Sequence, residues 1–182
     1  MFDLHIKKKA FTVIELLITL ALIAIVSSII YSFYLSSSKT MDETNTRSAL
    51  QQDGQIVQNS LLTYGNQASS IAMINNIAPT SSGNSIQVNS LKLVLYANAN
   101  QTVEYDYDNT SKRLSEITSN LNGTGSTTKT LSSNVQSIQI SPIGQYYNNA
   151  DGIAVSITLS NKGISYSTSC KLIFRNKGVT NP

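Results

Sequence analysis

Lys7-Lys8-Lys9-Ala10-Phe11-Thr12-Val13-Ile14-Glu15-Leu16-Leu17 opens an apolar run that continues to Tyr34, and the reading of this junction decides how the chain is built. Residues 11–34 cover about 24 positions, or about 36 Å of helix at 1.5 Å per residue, which spans a bilayer with some tilt. Three lysines stand directly before the run. They hold the N-terminus in the cytoplasm and place everything after Tyr34 outside. Tyr31 and Tyr34 fall where interfacial aromatics set the depth of a membrane helix. Ordinary secretory signals are cut after the apolar region, next to small residues. Here the small residue, Ala10, comes before the run, and no such site directly follows Tyr34.

One carboxylate lies inside the apolar part. An unpaired acid in the hydrocarbon region costs roughly 2.5–3.5 kcal/mol on insertion scales, so an anchor alone has no use for Glu15. Spacing suggests a partner. A cut between Ala10 and Phe11 would leave an α-amino group one helical turn from Glu15, and residues four apart share a helix face. Ammonium and carboxylate would then pair within one chain, or across two chains staggered along a bundle of such helices. The plainer alternative is a signal anchor whose acid, one turn in, snorkels to the surface.

The stretch Lys9-Ala10 followed by Phe11-Thr12-Val13-Ile14-Glu15-Leu16-Leu17 resembles the class III signal of type IV pilins and type II secretion pseudopilins. The resemblance implies a basic leader containing Lys7, Lys8 and Lys9 and cleavage by a prepilin peptidase between Ala10 and Phe11. It further implies N-methylation of Phe11, with Glu15 neutralising the amino terminus of a neighbouring subunit in a fibre. The family usually has Gly before the cut; Ala10 is the one departure, and it is also small.

Composition agrees with an exported structural or binding domain. The chain has 182 residues, room for one membrane helix and one globular domain of roughly 120 residues. Only 13% of residues are charged, and the formal net charge of +3 owes much to the leader. Without residues 1–10 it falls to about +1 by side-chain count, so charge gives no support to a nucleic-acid partner.

From residue 36 to 62 there is no Pro, and Met41, Ala49, Ile56 and Leu61 recur at near-helical intervals. This reads as the first helix continuing out of the membrane, with one stripe packing on the domain. The whole helix would run about 50 residues, or about 75 Å. Ser27-Ser28 would bond back to helix carbonyls, and Gly54 would mark a bend or the close approach of a strand. Beyond residue 62 the period changes to two. Ile86 and Val88, then Leu91, Leu93 and Leu95, alternate with polar residues, and Val103, Tyr105 and Tyr107 lead into a turn at Asp108–Ser111 before residues 114–117 return. Residues 121–130 read as a flexible loop, and Ile138 and Ile140 as a short strand ending at Pro142. Ile153 to Leu159 and Ile164 to Phe174, joined by Asn161-Lys162-Gly163, form the clearest hairpin. The expected fold is α+β: a long N-terminal helix packed on an antiparallel, meander-like sheet of roughly five to seven strands. The layout is a leader at 1–10, a membrane half at 11–34, an outer helix half at 35–62 and a sheet domain at 63–182.

The segments Leu-Ser-Ser-Asn-Val-Gln-Ser-Ile-Gln-Ile and Gly-Ile-Ala-Val-Ser-Ile-Thr-Leu-Ser, before a last hairpin ending Phe174-Arg175-Asn176, resemble the layout of PilW-like minor pilins and J-type pseudopilins. That implies a low-copy assembly subunit of a type IV or competence pilus, or of a type II secretion system. Its partners would be prepilin peptidase, other pilins or pseudopilins, and the cytoplasmic membrane before assembly. A membrane-tethered adhesin is the competing class. No catalytic constellation is visible: His5, the single histidine, lies in the leader, and no serine sits in a hydrolase context. No cofactor or metal is expected; Glu104, Asp106 and Asp108 share a strand face but lack an EF-hand spacing and read as a solvated edge. Cys170, the only cysteine, lies among apolar positions and reads as a small buried hydrophobe.

Overall fold

The computed structural model describes residues 12–95, 101–120 and 124–177. Helix α1 runs from Val13–Gly65 over 53 residues, uninterrupted by proline. It is the one helix among the described residues that is long and apolar enough to cross a membrane. The chain divides into two compact units, one up to Thr44 and one from Asn45 onward, and α1 contributes to both. In the first unit its apolar side chains from Val13 to Leu35 are all exposed. Ser28 donates back to the Ile25 carbonyl at 2.8 Å, as its place in an apolar helix requires.

The second unit holds nine strands in two antiparallel sheets, rather than a single meander. The strands are β1 (Ala68–Ile74), β2 (Ile86–Gln87), β3 (Ser90–Leu95), β4 (Gln101–Asp108), β5 (Arg113–Asn120), β6 (Thr127–Ser132), β7 (Val135–Ile143), β8 (Gly152–Asn161) and β9 (Ile164–Ile173), with a 3₁₀ turn at Tyr147–Asn149. The first sheet has the order β1-β3-β4-β5-β6 and the second β2-β7-β8-β9. Their inward faces and one stripe of α1 merge into one apolar core that includes Leu93, Val103, Tyr105, Ile140, Val155 and Leu172. Tyr107 fastens the sheets together, its hydroxyl donating to the Val135 and Gln136 carbonyls at 3.0 and 2.8 Å.

The last hairpin follows its sequence pattern residue by residue. Ile153, Val155, Ile157 and Leu159 are buried, and the turn at Lys162 and Gly163 has φ of 49° and 78°, the paired positive values of a type I′ connection. Cys170 is buried and free, and burial pushes its thiol up to about 11. Three elements depart from expectation. Residues 127–132, which overlap the end of the expected loop, form edge strand β6, whose first four residues are exposed and so show no alternation. Strand β1 carries bulges on either side of Ser70 and Ile71, which space its buried residues Ala68, Ile71 and Ile74 by three. Strand β7 continues through Pro142, because β2 pairs it only at Gln139 and Ile140 and no ladder donor is needed on that side.

The buried stripe of α1 matches the expected one only at Leu61. Thr46, Leu50, Gly54, Val57, Leu61 and Gly65 face the sheets, whereas Met41 is 67% exposed, Ile56 39% exposed, and Ala49 exposed. Small residues let the helix lie close on β9. A Cβ at Gly54 would stand 2.7 Å from the Tyr166 ring, and one at Gly65 2.8 Å from Leu172. Tyr166 is half-buried and its ring can swing away, and alanine also favours the helix by up to about 1 kcal/mol. Leu172 is fully enclosed and has nowhere to go. Gly65→Ala is therefore expected to lower the thermal midpoint by about 4–10 °C, while Gly54→Ala changes it little. Equal midpoints for the two variants in calorimetry would show that the core around Leu172 repacks freely.

Polar ties flank the stripe on both sides. Asp53 accepts hydrogen bonds from Ser132 and Asn134, both at 2.8 Å, and the Gln58 amide donates to the Ser169 carbonyl at 3.3 Å. Ser60 donates to the Glu116 carboxylate and shares a 3.1 Å hydrogen bond with Tyr105. Burial holds the Tyr105 phenol well above its usual pKa. The second half of α1 thus joins the outer strands of both sheets, β6 on one and β9 on the other.

Candidate functional site

At the head of α1, Thr12 and Glu15 form a reciprocal cap. The Glu15 backbone N–H donates to Thr12 Oγ1 at 3.3 Å, and the Glu15 carboxylate accepts from the Thr12 N–H and from its hydroxyl, both at 3.0 Å. Thr12 is the N-cap residue and Glu15 the third residue of the helix, the spacing at which each side chain reaches the other's backbone. A carboxylate here also faces the positive end of the helix dipole. Glu15 is therefore held in one place on the first turn by its own chain. It is the only acid in the helix's first turn, and apolar side chains surround it along the axis.

Thr12 is a residue that the pairing argument for Glu15 passed over. Its signal was in the sequence: a Ser or Thr three residues before an acid at the start of an apolar run is a capping-box signature. Lys7, Lys8, Lys9, Ala10 and Phe11 lie outside the described residues, as does His5.

Elsewhere the titratable groups serve the fold. Glu104 meets Lys92 at 3.4 Å and accepts from the Ser90 hydroxyl at 2.8 Å. Asp108 accepts from the Thr110 N–H and the Ser111 hydroxyl, closing the β4–β5 turn, and these bonds hold its pKa below the usual carboxylate range. The acidic residues of β4 are thus split between a cross-strand pair, a turn and solvent. Among the described residues no group of three or more His, Cys, Asp or Glu side chains is placed to hold a metal ion.

Residues 6–31 match the family model of the prokaryotic N-terminal methylation motif. No curated protein and no solved structure matches the chain. The matched segment contains the basic patch, the Ala10–Phe11 bond, Thr12, Glu15 and most of the exposed apolar helix. A family of this kind points to a structural protein that is processed at its N-terminus and anchored through an apolar helix. The chain thus carries a class III signal, that of a type IV pilin- or pseudopilin-like precursor.

Proposed function

We propose that the protein is a minor-pilin-like structural subunit of a type IV or competence pilus, without enzymatic activity of its own. Prepilin peptidase cuts between Ala10 and Phe11, Phe11 is methylated, and the subunit waits in the cytoplasmic membrane with residues 11–34 across the bilayer. Residues 35–62 continue the helix outside, and 63–182 form the sheet domain. Other pilins then take it up through the N-terminal helix, with Glu15 as the assembly carboxylate.

The observation that carries this reading is the exposed helix itself. Its first 23 residues, Val13 to Leu35, present apolar side chains on every face, and Glu15 is fixed on the first turn. Lipid can cover such a surface, and so can a bundle of like helices. Beyond its cap on Thr12, a bundle would give the carboxylate a partner in a neighbour's amino terminus, a reading that the methylation motif supports. The same features suit a J-type pseudopilin of a type II secretion system, and neighbouring genes separate the two. Mass spectrometry of the mature protein tests processing. The expected N-terminal peptide begins at a monomethylated Phe11, and one that begins at Met1 or beyond Tyr34 sinks the proposal.

A further inference from the structure

Inside the second unit, between α1 and the β5–β6 edge, lies an open groove of about 350 Å³. That is near the lower end of the range for small-molecule sites. Its floor is Glu116, only 7% exposed although it carries a carboxylate. Ser60 donates to that carboxylate, and Tyr64 lines the groove beside it. Ser60 thereby uses one of its roughly four acceptor positions. Lys129 stands opposite Glu116 in the β5–β6 register, at the rim. Its ammonium makes no ion pair or hydrogen bond with any described residue, and neither does the nearby Asn59 side-chain amide. The Ile56 side chain and Tyr64 complete the walls.

These groups select a type of ligand. A simple anion is repelled by Glu116 and a simple cation by Lys129. A neutral molecule that offers donors and acceptors side by side satisfies both, and the vicinal hydroxyls of a sugar ring do so. One hydroxyl donates to the Glu116 carboxylate while its neighbour accepts from Lys129 or Asn59, and the C–H face of the ring lies against Ile56 and Tyr64. We propose that this groove binds one pyranose unit of a neutral glycan. The inference does not depend on the assembly reading, because sugar binding and fibre incorporation have separate readouts.

The test uses the full chain in phosphocholine micelles, whose headgroup contains no sugar, with glucose, galactose and N-acetylglucosamine as probes. At least one is expected to give saturation-transfer NMR signals, with a dissociation constant on the order of 1–10 mM, as suits a single small ligand in an open site. Binding should weaken at least fivefold in Asn59→Ala/Lys129→Ala and in the shape-conserving Lys129→Met. Both positions are exposed, so thermal unfolding should not change. Silence from all three sugars overturns the proposal, as does undiminished binding in both variants. Binding of glycine in their place would assign the groove to a zwitterion and also overturn it.

Discussion

Glu15→Val is expected to remove the protein from sheared fibres by at least about tenfold while leaving its amount in the membrane unchanged. Valine suits the apolar helix better than Glu does, so the variant is retained in the bilayer at least as well. The sheet domain does not register the change, since Glu15 lies in the other compact unit and among the described residues its side chain bonds to Thr12. What is lost is the acceptor for a neighbour's amino terminus. An ammonium left without a counter-charge among packed helices is strongly disfavoured, because removing one partner of a buried pair costs far more than the pair itself contributes. A second variant separates this role from helix capping. Thr12→Val abolishes the cap but keeps the carboxylate, and one lost cap is a small perturbation in a helix of 53 residues. Thr12→Val should therefore remain detectable in fibres that exclude Glu15→Val. Immunoblots of fibre and membrane fractions read both outcomes, and normal incorporation of Glu15→Val ends the assembly argument.

The parts of the fold that were legible in the sequence share one property: their two faces differ chemically. The β8–β9 hairpin alternates cleanly, and its turn needs the positive φ that Gly163 supplies. The apolar helix needed only length and composition. The remainder was hidden for identifiable reasons. The packing stripe of α1 is built partly from Thr46, Gly54 and Gly65, so a search for large apolar residues settles on Met41, Ala49 and Ile56, which face away. Gly54 did announce the close approach of a strand, because a helix-disfavouring residue in a long helix calls for a packing reason. Strand β1 was masked by bulges that convert a period of two into three, and β6 by having little to bury. The groove could not be read at all. Ser60 and Glu116 are 56 residues apart, and nothing local in Leu114-Ser115-Glu116-Ile117 marks the acid as buried.

A chain beginning at Asn45 is expected to fold in water, whereas one beginning at Asn66 is not. The first keeps the whole second unit and discards the exposed apolar helix. The second loses Leu50, Val57 and Leu61, each at most 2% exposed. Burying an aliphatic side chain of this kind contributes about 1.5–3 kcal/mol, so three contribute about 5–9 kcal/mol. Domains of this size have only about 5–15 kcal/mol of net stability in total. The polar ties deepen the loss. Without α1, Glu116 loses Ser60, and Ser132 and Asn134 lose Asp53, so groups that were satisfied indoors must be rehydrated in a broken core. Strand β9 would also lie open at the edge of its sheet, exposing Leu172 and the unpaired side of its backbone. Circular dichroism and amide NMR spectra of the two fragments decide the matter: a cooperative melt from the Asn66 fragment would mean that the sheets are self-sufficient and α1 merely rests on them. The expected result assigns α1 two jobs that cannot be separated by a cut near Gly65. Its first half is what a membrane or a bundle of helices holds, and its second half is part of the domain's own core. A chain built this way cannot shed its sheet domain intact by a cut at the end of the helix, because the helix completes that domain's core.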